Sequence, residues 1–376
     1  MIVPKNNSIF AENKDWKQLK RYKTKVKVSI IIPVFNVSLF VKRCIESVME
    51  QDQAEADLEC IIVDDCGQDD SMEIVRQTMS NYSGPIRFIL VEHEHNRGLS
   101  AARNTGLANA TGDYVLFVDS DDYLMSGSIQ YFIDNLKQHP KADILVGNYR
   151  KGTEINAFQG ALQEPCCIDN PTHLFQLLLR RQIYVQTWNK LMRRQLLVER
   201  KLSFIEGILF EDEPWSYRLY SCVSSVVLLP KVTYVYEDNM ASITHTAFTQ
   251  EKAKKALCSF IVVVNNLLDY PPVLGRYEKD VTVDHLLLLN FYLTKAVDLH
   301  TQFSFPAQIS QDFLAVRRRM LFCSLRRGRI LIFFFSLLLF FPLSYLQKLR
   351  LFRQHYKQLE VAVNRLSHMT DFLHRH

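Results

Sequence analysis

Short apolar segments alternate with segments of helical period over the first 150 residues, and this alternation is the strongest limit on the fold. Short apolar runs bounded by polar residues are typical of strands buried on both faces. We predict strands at 28–34, 58–63, 86–91, 114–118 and 144–146. We predict helices at 39–48, 71–79, 99–108 and 129–136. Such alternation forms right-handed crossover units, so the predicted fold class is α/β with a doubly wound, mainly parallel sheet.

The second half of the chain has a different pattern. The alternation weakens after Lys151, and two further strand-like segments lie at 226–229 and 232–236. From Gln250 onward the pattern is mostly helical. The 376 residues allow more than one domain. We predict a polar leader at 1–26, an α/β domain at 27–245 with halves at 27–150 and 151–245, and a helical C-terminal region at 246–376.

Several common cofactor and metal motifs are absent from the sequence. No two of the twelve glycines lie two residues apart, and Thr153 stands where a P-loop begun by Gly147 needs lysine. The eight cysteines form no Cys-x-x-Cys pair, and no His-Glu-x-x-His occurs. The triplet His93-Glu94-His95 alternates faces at a strand exit, so we expect it to be solvated. The charged first 28 residues do not resemble a secretory signal, which favours a cytoplasmic domain.

Carboxylates collect after two of the predicted strands. Asp64 and Asp65 end the second strand, and Asp119, Asp121 and Asp122 end the fourth. A single aspartate after a strand is often only a helix cap. Two clusters at one sheet edge repel each other, and hydrogen-bond donors or a cation must offset that repulsion. Because hard carboxylate oxygens suit Mg²⁺ or Mn²⁺, we predict a divalent metal held together with a substrate diphosphate.

Five segments occur in an order and spacing that are together highly specific: Ser29-Ile-Ile-Ile-Pro-Val-Phe-Asn36; Ile61-Ile-Val-Asp-Asp65 with Asp69-Asp-Ser71; Asn96-Arg-Gly-Leu-Ser-Ala-Ala-Arg-Asn104; Gly112-Asp-Tyr-Val-Leu-Phe-Val-Asp-Ser-Asp-Asp122; and Phe210-Glu-Asp-Glu213. The series extends over residues 27–244 and resembles the family-2 glycosyltransferases, which have the GT-A fold. The resemblance implies an inverting, nucleotide-sugar-dependent enzyme with Mn²⁺ or Mg²⁺ as cofactor. It assigns the nucleotide sugar to 27–150 and the acceptor to 151–245.

The resemblance places the donor site on the first four segments. The implied nucleotide-binding or sugar-binding residues are Pro33, Phe35, Asn36, Asp64, Asp65, Gly98, Arg103 and Asp119. Asp119 and Asp121 match the Asp-x-Asp motif, whose carboxylates ligate the metal. Gly98 would allow the backbone to approach the nucleotide closely. Two alternatives stay open: Arg103 contacts the donor or pairs with a sheet-edge aspartate, and Asp122 belongs to the cluster or caps a following helix.

The resemblance implies that Asp212 is the catalytic base. Inversion at an anomeric carbon needs one carboxylate opposite the leaving diphosphate, to take the proton of the acceptor hydroxyl. Glu211 is the next candidate. If the segment is helical, Glu211 and Glu213 point away from Asp212, and a solvated face is the simpler interpretation for both.

Four secondary positions on the acceptor side have competing interpretations. Trp188 and Trp215 are either a platform for a sugar ring or part of the core. Lys190 either approaches the phosphates or lies on the surface. Many relatives carry an arginine where this chain has Glu237. His245 is a candidate to replace that arginine or to complete the metal shell, unless it is an ordinary surface histidine.

The C-terminal region contains a basic segment around an apolar one. Residues 330–346 carry no charge and would span about 26 Å as a helix, near the short limit for a bilayer. Residues 313–359 contain ten Lys or Arg and no Asp or Glu, whereas the rest of the chain has a net charge of −5. This pattern favours an anionic membrane surface over nucleic acid. We predict that 315–353 attaches, peripherally or re-entrantly, to the cytoplasmic face of the inner membrane; the alternative is a buried core helix.

These features together predict a metal-dependent transferase. We expect a nucleotide diphosphate sugar, with UDP as the nucleotide, to donate its sugar to a hydroxyl of a glycan or lipid-linked acceptor. The resemblance and the basic segment place this reaction in cell-surface polysaccharide or lipopolysaccharide synthesis. Two alternatives remain: a membrane-bound nucleotide-sugar-binding protein without turnover, and a sugar nucleotidyltransferase. The second would need a glycine-rich loop with Arg and Lys after the first strand, and residues 33–38 contain none.

Overall fold

The structure is a computed structural model that describes residues 25–155, 161–237, 239, 249–269 and 288–326 apart from 290, 291, 294 and 298. Most of the predicted leader, His245 and the apolar segment 330–346 lie outside the described residues. Within the described part of the chain, no helix combines the length and the apolar character needed to cross a membrane.

Ten strands and nine helices with defined bounds make up the described part of the chain. The strands are β1 (Val26–Val34), β2 (Ala56–Asp64), β3 (Arg87–Glu92), β4 (Tyr114–Phe117), β5 (Tyr123–Leu124), β6 (Ile144–Lys151), β7 (Glu154–Ile155), β8 (Cys166–Ile168), β9 (Lys190–Arg193) and β10 (Val226–Tyr236). The helices are α1 (Val41–Met49), α2 (Ser71–Ser80), α3 (Leu99–Asn109), α4 (Ser128–Gln138), α5 (Pro171–Leu179), α6 (Arg194–Glu199), α7 (Asp212–Tyr220), α8 (Gln250–Asp269) and α9 (Ala307–Arg326).

The ten described strands belong to one mixed sheet, and eight of them follow the order β3-β2-β1-β4-β9-β6-β10-β5. Of the other two, β7 pairs with β6 and β8 pairs with β10. The first four are parallel, with β1 between β2 and β4, and β6 is parallel to β10. Strand β9 runs antiparallel to both β4 and β6 and joins the two parallel groups. This arrangement confirms the predicted α/β class with a mainly parallel sheet and a helical C-terminal region.

The predicted elements of the first half are confirmed, because the apolar runs are buried on both faces. Every residue of β1 from Val28 to Val34 is buried. The two predicted segments at 226–229 and 232–236 are one strand, β10, whose register shifts between Leu228 and Val232 around Pro230. The antiparallel strand β9 is missed by the sequence interpretation, since its four residues are too few to show a period.

Helix α3, which carries Arg103, packs closely against β1 at Gly106. A Cβ atom at position 106 would overlap Cγ2 of Ile31, a buried residue of β1. Glycine is therefore required here for close approach, although it lowers helix propensity by about 1 kcal/mol relative to alanine.

We expect Gly106→Ala to lower the free energy of unfolding by about 1–3 kcal/mol, because the added methyl group pushes α3 away from β1. Urea unfolding of the two proteins would measure the difference. The control Ala108→Gly, at an exposed position of the same helix, changes helix propensity alone and should cost no more than about 1 kcal/mol. A Gly106→Ala protein that is more stable than wild type would contradict the close packing.

Glu59 of β2 is a buried carboxylate that binds side chains and backbone of the neighbouring strands and of the loop before β4. It accepts hydrogen bonds from Ser29 Oγ (2.6 Å) and from the Thr111 backbone N–H (2.7 Å). It also pairs with Lys27 (3.0 Å) and Arg87 (2.6 Å). Burial alone would raise the pKa of Glu59, but the hydrogen bonds from Ser29, Thr111 and Lys27 outweigh it and lower this pKa to about 2.

Because the pKa of Glu59 is lower in the folded state, its contribution to stability is present above pH 4.5 and is lost as the pH falls towards 2. We expect the melting temperature of the wild type to fall more between about pH 6 and about pH 3 than that of Glu59→Gln, which has no charge to lose. Differential scanning calorimetry at several pH values measures both. Equal pH dependence of the two proteins would contradict this assignment.

Candidate functional site

The candidate site lies at the carboxyl ends of β1, β2 and β4, where the carboxylates predicted from the sequence converge. The three strands are adjacent and parallel, so their last residues meet at one edge of the sheet. The backbone N–H of Asp65 donates to the carbonyl of Val34 (3.0 Å), which joins the two strand exits. The side chains from 119 to 122 follow β4 directly.

The loop after β1 supplies the most accessible of the predicted donor-site residues. Phe35 is 44% exposed, whereas Pro33 is buried within β1. Asn36 has a left-handed backbone (φ 52°), and its Oδ1 accepts from the Gln68 N–H (2.7 Å). Asp64 is half-buried, and its Oδ1 accepts from the backbone N–H of Cys66 (2.9 Å). Phe35, Asn36 and Asp64 therefore form one open surface beside the strand ends.

Asp65 does not face this surface, which corrects its predicted role in nucleotide binding. Its buried carboxylate accepts from Asn96 Nδ2 (3.0 Å), Arg97 N–H (2.9 Å) and Gly98 N–H (2.7 Å). It also contacts His93 Nδ1 (2.7 Å). Asp65 thus anchors the loop that leads into α3.

His93 and Gly98 belong to the same loop, where both have a structural role. The His93 side chain is buried between Asp65 and Thr105 Oγ1 (2.9 Å from Nε2), so the prediction of a solvated histidine is wrong. Its burial depends on α3, which the local alternation of residues does not show. Gly98 has a φ of 87°, and among the described residues no atom lies within 4 Å of the position a Cβ would take. The conformation of this residue therefore favours glycine, without any close contact inside the protein.

Arg103 of α3 lies at the centre of the site. Its side chain is only 1% exposed, and its Nη2 donates to Asp119 Oδ1 (2.8 Å). Its Nη1 donates to Glu211 Oε1 (2.9 Å) and to Asp212 Oδ1 (3.1 Å). Burial opposes the charge of this guanidinium, but Asp119, Asp212 and Glu211 outweigh it and raise the pKa of Arg103. The structure agrees with the interpretation in which Arg103 pairs with a sheet-edge aspartate. Two further ion pairs, with Glu211 and Asp212, extend it.

Asp122 is buried and belongs to the support of the site. Its Oδ2 accepts from the Tyr234 hydroxyl (2.7 Å), and its Oδ1 accepts from the Glu237 N–H (2.9 Å). Burial and the charges of Asp119 and Asp121 raise the pKa of Asp122 to about 9. The next element is the short strand β5, so the helix-cap interpretation is wrong. Asp122 instead connects the end of β10 to the loop of residues 119–122, which we call the acidic loop.

Glu237, at the position where many relatives carry arginine, forms an ion pair at this edge of the sheet. Glu237 pairs with Arg43 of α1 (3.2 Å). Its carboxylate is therefore neutralised by a helix of the first half, and it adds little charge to the acidic loop.

Asp119 and Asp121 fit a divalent cation that is shared with a substrate. Asp119 is 24% exposed, and burial and the neighbouring Asp121 raise its pKa although Arg103 lowers it. Asp121 is half-buried and accepts from Asn239 Nδ2 (3.1 Å). Across the described ranges, no group of three or more His, Cys, Asp or Glu side chains could hold an ion by itself. The two carboxylates would need the oxygens of a bound diphosphate to complete the shell.

Asp212 is the first residue of α7, where the helix dipole stabilises a carboxylate. Its Oδ1 accepts from Arg103 and from the hydroxyl of Thr187, and its side chain remains 19% exposed. Glu211 is more enclosed, and burial and the charge of Asp212 raise its pKa against the effect of Arg103. Glu213 points away, as predicted, but pairs with Arg181 (2.9 Å). Neither glutamate lies on a solvated face, which corrects that interpretation.

Two of the predicted acceptor residues, Trp188 and Trp215, are in the core. Trp188 stacks on Tyr234 (4.6 Å between ring centroids), and Trp215 stacks on Phe204 (4.8 Å). Both indoles are at most 3% exposed, so neither is a sugar platform in this structure.

Lys190 of β9 is fully buried and therefore does not lie on the surface. Its Nζ donates to the carbonyls of Tyr184 (2.7 Å) and Gln186. Burial lowers the pKa of Lys190 to about 7, although Asp212 and Glu213 oppose the shift. Lys190 therefore fixes the loop that presents Thr187 to Asp212.

Thr187 and Phe210 are neighbours of the site that the sequence interpretation missed. Thr187 binds Asp212 and stands next to the Trp188-Asn189-Lys190 run, which was the only sequence signal for it. Phe210 is 37% exposed and lies two residues before Asp212. It is thus an exposed aromatic residue close in the chain to the candidate base, whereas the two tryptophans take the core alternative.

Comparisons with known proteins agree with this geometry. Residues 29–200 match the model of Glycosyl transferase family 2. The chain is 33% identical over 227 residues to the uncharacterized glycosyltransferase EpsJ of Bacillus subtilis, covering 59% of this chain and 64% of that protein. It is 31% identical over 228 residues to the glycosyltransferase GlyA of Streptococcus pneumoniae, covering 58% of this chain and 31% of that protein. The chain thus spans less than two thirds of these two relatives.

The solved structures show the same fold. Residues 1–349 of S. aureus TarS, solved in complex with UDP-GlcNAc, match with a TM-score of 0.57 and 17% identity, covering 82% of this chain and 90% of that one. At this identity the likeness establishes the fold alone. The ordered motifs and the family match together show a glycosyl transferase family 2 domain at residues 29–200.

Proposed function

We propose that this protein transfers a sugar, with inversion, from a UDP-sugar to a hydroxyl of a glycan or lipid-linked acceptor in cell-surface polysaccharide synthesis. One observation carries the proposal: a single guanidinium, that of Arg103, joins Asp119 of the Asp-x-Asp motif to Asp212 at the start of α7. The candidate donor site and the candidate base therefore stand on opposite sides of one side chain.

The chemistry of the described residues supports an inverting transfer. The acceptor oxygen forms a bond to the anomeric carbon, the bond from that carbon to the diphosphate breaks, and the hydroxyl proton passes to the carboxylate of Asp212. Thr187 and Arg103 hold this carboxylate through Oδ1. A divalent cation held by Asp119 and Asp121 would offset the negative charge on the leaving diphosphate.

The relatives support the choice of donor and acceptor. A protein named poly(ribitol-phosphate) beta-N-acetylglucosaminyltransferase TarS is 26% identical over 216 residues, and the TarS structure that matches this fold contains UDP-GlcNAc. By its name that enzyme modifies a polymer. A UDP-sugar and a surface polymer or its lipid-linked precursor are therefore the first substrates to test.

The test begins with a donor screen on the full-length protein. Purified enzyme is incubated with single sugar nucleotides and Mn²⁺ or Mg²⁺, and release of free UDP is measured, because weak donor hydrolysis needs no acceptor. We expect one UDP-sugar to be hydrolysed. Binding of UDP-sugars without hydrolysis or transfer would support a binding protein instead, and release of pyrophosphate from UTP with a sugar phosphate would support a nucleotidyltransferase.

Two substitutions separate the donor site from the base. Asp121→Asn removes a carboxylate from the proposed metal shell, so we expect weaker Mn²⁺-dependent UDP binding and loss of both hydrolysis and transfer. Asp212→Asn keeps the shape of the side chain and leaves Asp119 and Asp121 unchanged. We expect its UDP affinity to stay near that of the wild type while transfer falls about 100-fold or more.

Calorimetric titration with UDP, with and without Mn²⁺, and initial transfer rates measure these effects. Asp134→Asn is the matched control: it makes the same chemical change at an exposed helical position paired with Lys137, and both quantities should stay at the wild-type level. Wild-type transfer by Asp212→Asn, or loss of its UDP binding, would show that the base lies elsewhere, with Glu211 the next candidate.

We also propose attachment to an anionic membrane surface at the cytoplasmic face, through the C-terminal part of the basic segment. The start of that segment packs against the rest of the protein. Phe313, Val316 and Met320 of α9 are buried, and Arg319 pairs with Asp269. Beyond these residues, Phe322 is 66% exposed. The buried and paired side chains of α9 favour attachment through the part of 315–353 that follows Met320.

The full-length double variant Phe334→Asp and Leu338→Asp tests this attachment, since two charges in the apolar run oppose insertion. We expect it to move from the membrane fraction to the soluble fraction while UDP binding is unchanged, and high salt alone to release little wild type. Val198→Asp adds a charge to an exposed apolar position of α6 and should not change the distribution. A double variant that stays with the membrane would contradict the proposal.

A further inference from the structure

The turn that leads into α7 holds a bulky residue in an unfavourable backbone conformation. Phe210 has a φ of 64°, in the left-handed region, and stands two residues before Asp212. For a residue other than glycine, this conformation costs on the order of 1–3 kcal/mol and persists only where surrounding contacts impose it. The position of the candidate base thus depends on whatever holds Phe210.

Helix α8 of the C-terminal region supplies those contacts. The Leu209 backbone N–H donates to the hydroxyl of Ser259 (2.8 Å). The ring of Phe210 stacks on Phe260, with 4.8 Å between centroids and 11° between planes. Ser259 and Phe260 are 1% and 5% exposed, so the α8 side of both contacts is buried. Two neighbouring residues of α8 therefore engage two neighbouring residues of the turn.

A second contact holds the other side of the base. Glu213 pairs with Arg181 (2.9 Å), and Arg181 Nη2 also donates to the hydroxyl of Tyr292. Tyr292 is 4% exposed and lies 6.0 Å from Phe260 between ring centroids. The C-terminal region thus reaches the chain both before and after Asp212.

We propose that the C-terminal helices position the catalytic carboxylate, with Ser259, Phe260 and Tyr292 as positioning residues that hold the segment 209–213. The inference rests on the proposed function, because it assigns a consequence to the placement of Asp212. The physical reason is that a base displaced by about 1 Å can lose about 100-fold in rate. The family match ends at residue 200, so the base and the helices that hold it both lie beyond the matched segment.

The experiment compares a mild and a larger change in the full-length protein. Ser259→Ala removes the acceptor of the Leu209 N–H, and Phe260→Leu removes the stacked ring while keeping an apolar side chain. Ser259→Thr keeps the hydroxyl and is the conservative variant. Leu267→Ala, a buried position about two turns farther along α8, is the control for general destabilisation of the helix.

Four quantities are measured for each protein: hydrogen exchange of the amides in 208–213, UDP affinity with Mn²⁺, and kcat and KM for the UDP-sugar found in the screen. For Ser259→Ala and Phe260→Leu we expect exchange at Leu209 to be about tenfold faster and kcat to fall about tenfold or more. UDP affinity and KM should stay within about twofold of wild type, since the candidate donor site lies at the ends of β1, β2 and β4 and not on α8. Ser259→Thr and Leu267→Ala should retain wild-type exchange at Leu209 and wild-type kcat.

Faster exchange with unchanged kcat would overturn the inference, as would unchanged exchange in both variants or an equal loss of kcat in Leu267→Ala. The outcome is separable from that of the proposed function. If Asp212→Asn keeps wild-type transfer, the base assignment fails regardless of α8. If Asp212→Asn is inactive and the α8 variants keep their kcat, only the positioning role fails.

Discussion

The candidate site depends on the buried ion cluster around Arg103. A guanidinium removed from water is costly unless its hydrogen bonds are satisfied by charged partners. Here three carboxylates, from Asp119, Glu211 and Asp212, repay that cost, and each of them would repel the others without the arginine. Arg103 itself is placed by α3, whose approach to β1 requires Gly106. One cation thus joins the end of β4 to the start of α7.

Around this cluster the carboxylates divide by burial into two kinds. Asp65 and Asp122 are buried and saturated with donors, and they hold the loop before α3 and the end of β10 in place. Asp64, Asp121 and Asp212 remain partly exposed, so each can still meet a ligand. The buried carboxylates give the sheet edge its shape, and the exposed ones can then act on a bound donor and acceptor.

The sequence interpretation was most successful where burial on both faces leaves a continuous apolar run. Apart from the two-residue strand β5, the strands and helices between residues 26 and 138 agree with their predicted places, and the motif residues Arg103, Asp119 and Asp212 do converge. It failed for Lys190, which was expected near the phosphates or on the surface but is buried in the core, whereas the two tryptophans follow the core alternative. It also failed for His93, which α3 covers.

The sequence by itself determined the α/β class, the family resemblance and the set of carboxylates that a donor site would use. These depend on local period, on spacing and on residue chemistry, all of which can be read along the chain. Only the tertiary structure decided which carboxylates are saturated, which aromatic rings are covered, and which elements hold Asp212. Those properties depend on contacts between distant segments: Phe210 with Phe260 is one, and Arg103 with Glu211 is another. Burial and charge compensation are set by such neighbours in space, and no local pattern of residues specifies them.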